Sequence, residues 1–131
     1  MNNLAKLEKK AYLAFKPPKK LSLSEWADNY AYLSAESSAE GGRWRTLPYQ
    51  KGIMDAITNP NVEQVTLMKS ARVGYSKILN HLIAYHIHQD PCPIMVCQPT
   101  LDDCQSYSKE EIQPMLRDTP CLHGLVSDPK S

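Results

Sequence analysis

Apolar residues at Leu4, Leu7, Ala11, Ala14 and Phe15 recur at helical spacing and predict a short amphipathic helix. It should stop before Pro17-Pro18, because proline pushes the residue ahead of it out of the α region. After a Lys-Pro-Pro-Lys-Lys linker, Ser22 with Glu25 three residues on forms a capping box for a second helix, on which Trp26, Tyr30 and Leu33 share a face. Ser34 to Arg45 is rich in Ser, Glu and Gly, and Gly41-Gly42 predicts a surface loop without regular structure, ended by Trp44. Thr46 is placed to cap a third helix from Pro48 to Thr58, with Ile53, Met54 and Ile57 as its buried stripe and Asn59-Pro60 as its stop.

The period then changes. Val62 to Met68 is a short apolar run holding Val65, Thr66 and Leu67, which predicts a buried strand. Lys69 to Gly74 is a loop, and Tyr75, Ile78, Leu79, Leu82, Ile83 and Ile87 keep a helical period until Asp90-Pro91. Pro93-Ile94-Met95-Val96-Cys97 reads as the next buried strand, so the order is β-α-β. Such a crossover predicts adjacent parallel strands and puts the loop at the carboxyl edge of a sheet, where ligands bind. Thr100 with Asp103 caps a further helix from Leu101 to about Ile112, which Pro114 should break or restart; the tail from Asp118 onward predicts no element.

A chain of 131 residues accommodates one domain or part of one, and 42% apolar with 22% charged residues lies in the globular range. The formal net charge of +1 gives no whole-chain attraction to a polyanion. Basicity is local: Lys6, Lys9, Lys10, Lys16, Lys19 and Lys20 make residues 1–20 a basic helix and linker, read as a solvated face or a phosphate-binding arm. Cys92, Cys97, Cys104 and Cys121 show neither a C-x-x-C pair nor a disulfide framework, which suggests reduced cytosolic thiols. His86 and His88 lie two apart on a helix and point to different faces, so they do not grip one ion. The amino terminus lacks an apolar signal region and no run of about 18 apolar residues occurs. A soluble, cytoplasmic protein without membrane association is expected.

The chemistry concentrates in Lys69-Ser70-Ala71-Arg72-Val73-Gly74-Tyr75-Ser76-Lys77. A phosphate-binding loop presents backbone N–H groups at a helix amino terminus, a lysine for the terminal phosphates and a hydroxyl for magnesium. Aligned on Gly74 and Ser76, this loop has Lys69 where the first glycine of G-x-x-x-x-G-K-[ST] belongs and Tyr75 where the lysine belongs. The cation could come from Lys69, Arg72 or Lys77. Lys69 is favoured, because a long side chain from the first position can reach inward over a loop that folds back, while Arg72 suits charge stabilisation at the leaving phosphate. Spacing alone does not separate this loop from an ordinary βα turn.

The same string resembles the deviant Walker A loop of lambda-like, GpA-type phage terminase large subunits, in which the lysine stands at the front. The resemblance also covers Leu23-Ser24-Glu25-Trp26-Ala27-Asp28, Trp44-Arg45-Thr46, Pro48-Tyr49-Gln50, Gln98-Pro99-Thr100 and Met115-Leu116-Arg117-Asp118-Thr119-Pro120, that is, roughly residues 20 to 120. It implies an α/β fold: a partial P-loop NTPase with a parallel βαβ core behind amino-terminal helices, residues 21–131 being the front of the ATPase domain. It implies ATP and Mg2+, with Ser70, Ala71, Val73, Gly74, Tyr75, Ser76 and Lys77 around the phosphates, Lys69 and Arg72 catalytic, and Ser76 on the metal. Tyr49 would pack on adenine and Gln50 would read its edge, chemistries that suit a purine. Without the resemblance, Tyr49 reads as core and Gln50 as a surface amide.

The resemblance further implies a DNA-packaging motor that couples ATP hydrolysis to translocation of double-stranded DNA, with the terminase small subunit and the portal of the prohead as partners. It also implies a metal-dependent endonuclease that cuts concatemeric DNA, whose acidic cluster is not found in the sequence. The strand ending in Asp that a P-loop ATPase requires has one candidate, Leu125-Val126-Ser127-Asp128, with two apolar residues after a glycine. The expectation is therefore the opening part of a longer protein, inactive in isolation, whose uncovered strand edges promote self-association. A non-catalytic interaction module and an inert truncated prophage fragment are the alternatives.

Overall fold

The computed structural model describes residues 3–17 and 19–127. Its elements are α1 (Asn3–Phe15), α2 (Leu23–Tyr30), β1 (Tyr32–Leu33), β2 (Gly42–Arg43), α3 (Pro48–Ile57), α4 (Tyr75–His88), α5 (Leu101–Ser106), a π-helical stretch (Tyr107–Ile112), α6 (Gln113–Asp118) and a 3-10 turn (Pro120–Leu122). The protein is thus mainly helical with one small antiparallel sheet.

Helix α2 starts as its sequence predicts: the Ser22 hydroxyl accepts from the Glu25 N–H and the Glu25 carboxylate accepts from the Ser22 N–H. Its apolar face lays Leu23, Trp26 and Ala27 into the core with Met54 of α3, and Ile78, Ala84 and Tyr85 of α4. Met115 and Leu122 close that core from the carboxyl-terminal side. Trp26 is fully buried, meets Tyr85 edge-on at 6.1 Å and donates its indole N–H to Nδ1 of His88. That bond gives the buried indole the polar partner it requires. Tyr85 in turn donates to the carbonyl of Leu21, pinning the chain that leads into α2 onto α4.

Helix α1 ends at Phe15, ahead of Pro17, as expected; Pro18 lies outside the described residues. Its apolar side is uncovered, with Leu4, Leu7, Tyr12, Leu13 and Phe15 all exposed. Among the described residues no helix is long and apolar enough to cross a membrane.

Two expectations about strands need correction. The segment expected to be a plain loop carries β2, whose Arg43 and Gly42 pair antiparallel with Tyr32 and Leu33. Gly42 at φ 137 takes a conformation that side-chain-bearing residues rarely adopt, so the glycine pair shapes the hairpin end. The parallel βαβ core is absent among the described residues: 62–68 and 93–97 flank α4 but form no ladder, and β1–β2 is the only sheet. Val65, Ile94 and Val96 are exposed, and Met68 and Met95 almost entirely so. A parallel strand needs hydrogen-bonding neighbours and cover on both faces, and these segments have neither among the described residues. The weak candidate for an acidic strand, 125–128, is not one: Leu125 and Val126 lie exposed in a turn, in keeping with the tail's lack of a predicted element, and Asp128 lies outside the described residues.

As expected, α-helix restarts at Pro114, which sits in the first turn of α6, although the chain stays helical across the junction. The backbone stays in the α region at Ser106, Tyr107, Ile112 and Gln113, and the turn before the proline widens to a π register in which the Gln113 N–H reaches the Ser108 carbonyl. Proline has no N–H and its ring crowds the carbonyl four residues back; a wider turn relieves both.

Candidate nucleotide-binding loop

Residues 69–74 connect segment 62–68 to α4. Gly74 is the N-cap of α4 at φ 80, ψ 14, and its carbonyl accepts the first helical bond, from Ile78. Arg72 is also left-handed, at φ 62. Left-handed residues at 72 and 74 turn the loop back on itself, the backbone form that gathers N–H groups into an anion-binding concavity. Among the described residues none of the N–H groups of 70–77 donates to a protein acceptor. They lie where the dipole of a 14-residue helix favours negative charge.

Nζ of the exposed Lys69 lies 5.3 Å from the centroid of the Tyr75 ring and 3.5 Å from the Ser70 carbonyl. Ser70, Ala71, Arg72 and Ser76 are exposed, and Val73, Gly74 and Tyr75 half-buried. The loop thus stands on an open face. A cleft lined by Ile112, Leu116, Leu122 and Val126 shares no residue with it.

Lys77 is committed elsewhere. Its Nζ donates to the Ser37 carbonyl at 2.7 Å, the Ser37 hydroxyl at 2.9 Å and the Glu111 carboxylate at 2.6 Å. An ammonium group has three protons, so none remains for a phosphate. Asn80, 2% exposed, donates to the same Glu111 oxygen and accepts from the Tyr107 hydroxyl. Burial, with the Glu111 charge next in weight, pushes the Tyr107 phenol up to about 12, so it remains a donor. This network ties α4 to the hairpin loop and to the π turn. Sequence reasoning missed it because its bonded partners lie 27 to 40 residues apart.

Tyr49 and Gln50 dock against the loop from α3. The Tyr49 hydroxyl and the Gln50 amide both donate to the Val73 carbonyl, at 3.3 and 3.2 Å. Tyr49 is exposed and Gln50 buried. The other end of the Gln50 amide accepts the Leu47 N–H at 3.0 Å, so Leu47 is the N-cap of α3. Thr46, expected in that role, instead accepts from the Trp44 indole. The Trp44 ring packs edge-on at 4.5 Å against His81, whose Nε2 is buried without a partner. Burial foremost, and then the nearby Lys77 charge, lowers the His81 imidazole to about 3.

The family model of the phage terminase large subunit gpA, ATPase domain, matches residues 38–131, which include both the loop and its docking pair. The chain belongs to this family. It is 39% identical over 109 residues to the terminase large subunit of Escherichia phage lambda and 40% identical over 109 residues to that of Enterobacteria phage P21. Each alignment covers 83% of the chain and 17% of the relative's length. No solved structure matches the chain.

Proposed function

We propose that residues 69–77 bind ATP with magnesium, and that the chain contributes this site to a terminase motor that couples ATP hydrolysis to movement of double-stranded DNA. The observation that carries the reading is a set of N–H groups at the amino terminus of α4 with no acceptor among the described residues, and the Lys69 ammonium beside the first residue of that helix, Tyr75.

In this reading the backbone of Ser70, Ala71, Val73, Gly74, Tyr75, Ser76 and Lys77 cradles the phosphates. Lys69 neutralises the terminal phosphate, and the exposed Arg72 guanidinium stabilises charge as the phosphoryl group leaves. The exposed Ser76 hydroxyl, in the first turn of α4, would take magnesium, which supplies charge neutralisation across the phosphates. Tyr49, exposed beside the loop, offers its ring to adenine. Hydrolysis, cutting of concatemeric DNA, and engagement of the small subunit and prohead portal are proposed for the protein that carries this chain.

Titration of ATP into the wild-type chain and into Lys69→Ala tests this. Loss of the ammonium should weaken binding at least roughly tenfold, the worth of one charge-assisted bond. Equal affinity in both proteins removes Lys69, and with it the displaced-lysine reading.

A second reading rests on α1, whose exposed apolar side carries Lys6, Lys9 and Lys10 around it: this helix docks a partner, the terminase small subunit. Undiminished capture of the small subunit by a chain lacking residues 1–20 contradicts it.

A further inference from the structure

We infer that Gln50 is a positioning residue that aims the Gly74 N–H into the phosphate cradle, and that it does not read the adenine edge. This rests on the nucleotide reading of the loop given above.

An amide recognises adenine with a free donor and a free acceptor held in the plane of the base. Gln50 has neither. It is 3% exposed; its Oε1 accepts the Leu47 N–H, and its Nε2 hydrogens go to the Val73 carbonyl at 3.2 Å and the Tyr49 hydroxyl at 3.4 Å. Turning it toward a base would strip the Leu47 N–H of its acceptor and the Val73 carbonyl of a donor, each a desolvation cost without return.

Left in place, the same amide sets the direction of one peptide plane. The chain has no cis peptide among the described residues, so the C=O of Val73 and the N–H of Gly74 point to opposite sides of one rigid unit. With the carbonyl held by Gln50 and Tyr49, the Gly74 N–H faces away from α3, toward the open side of the loop. The contact is close: a Cβ on Gly74 would stand 2.7 Å from Gln50 Nε2 and 3.9 Å from the Trp44 ring. Glycine at this position lets the amide approach, and the approach fixes the left-handed turn that opens α4.

Gln50→Glu separates the two roles. The introduced carboxylate still accepts from Leu47, so the cap of α3 survives, but it has no hydrogen for Val73. Binding of ATP, GTP and inorganic tripolyphosphate is measured for wild type and variant. Positioning predicts that all three weaken by the same factor, roughly tenfold, with the ATP-to-GTP ratio unchanged, and that acidification restores part of the loss as the carboxyl regains a proton to donate. A loss confined to ATP, with GTP and tripolyphosphate unaffected, overturns the inference and returns Gln50 to base recognition. So do unchanged affinities for all three.

NMR order parameters of the ligand-free proteins provide a readout that needs no nucleotide. The Gly74 amide should fall from the rigid range near about 0.85 toward roughly 0.6 in Gln50→Glu; equal values overturn the clamp alone. A wild type that binds none of the three polyphosphates overturns the nucleotide reading itself. Should Gln50→Glu fail to fold, Tyr49→Phe removes the second donor to Val73, keeps the ring, and should weaken all three ligands by one common, smaller factor. A loss restricted to ATP there counts against positioning.

Discussion

Nζ of Lys77 stands 2.6 Å from Oε2 of Glu111, joining the helix behind the loop to the π turn that precedes Pro114. Both side chains are mostly covered, at 17% and 25% exposure, so breaking one side strands the other. Lys77→Met should destabilise the fold by about 1.5–3 kcal/mol, the range for a hydrogen bond to a charged group. Glu111→Gln, which keeps an oxygen for Lys77 and Asn80, should cost less. Urea denaturation of the two variants checks the order; a silent Lys77→Met contradicts the network.

Gly74→Ala should be costly for two reasons. An alanine at φ 80 pays about 1–2 kcal/mol for the left-handed backbone, and its Cβ drives Gln50 off the Val73 carbonyl. Gly52→Ala supplies the contrast: it lies inside α3 with open space around a Cβ, and alanine there should stabilise by about 0.5–1 kcal/mol. Thermal melts read both signs, and destabilisation by the two alike contradicts the assignment of Gly74 as a strained cap.

The buried His81 makes stability depend on pH. Its folded imidazole titrates near 3, whereas an unfolded one titrates near 6.5. Below 6.5 the unfolded chain takes up a proton that the folded chain refuses, so stability is complete above 6.5 and declines as pH falls toward 3. The slope is about 1.4 kcal/mol per pH unit. His81→Phe, which keeps a ring against Trp44 and removes the orphaned Nε2, should flatten this part of the profile. Melting curves from pH 7 to 4 that run parallel for wild type and variant contradict it.

The helices were legible because their signals are local. Ser22 and Glu25 cap α2, Asn59-Pro60 follows the end of α3, and the apolar period from Tyr75 onward traces α4. The strands were not, because an apolar run reports a tendency to be buried, not the neighbours that bury it; 62–68 and 93–97 have the composition of parallel strands and no ladder. In the loop, the sequence named the residues and favoured Lys69 as its cation, and the Lys69 ammonium lies against the Tyr75 ring. It did not reveal that Lys77 is consumed by Ser37 and Glu111, nor that the Gln50 amide is spent on Leu47 and Val73. Those partners are set by packing among distant segments, which spacing along the chain does not record.

The central claim is that the N–H groups opening α4 receive a triphosphate. Amide chemical shifts of the isotope-labelled chain, followed as MgATP is added, test it most directly. The account predicts that shifts concentrate at residues 70–76 and are lost in Lys69→Ala at the same concentrations. Unmoved loop amides, or changes centred on α1 or on the cleft beside Ile112 and Leu122, contradict it.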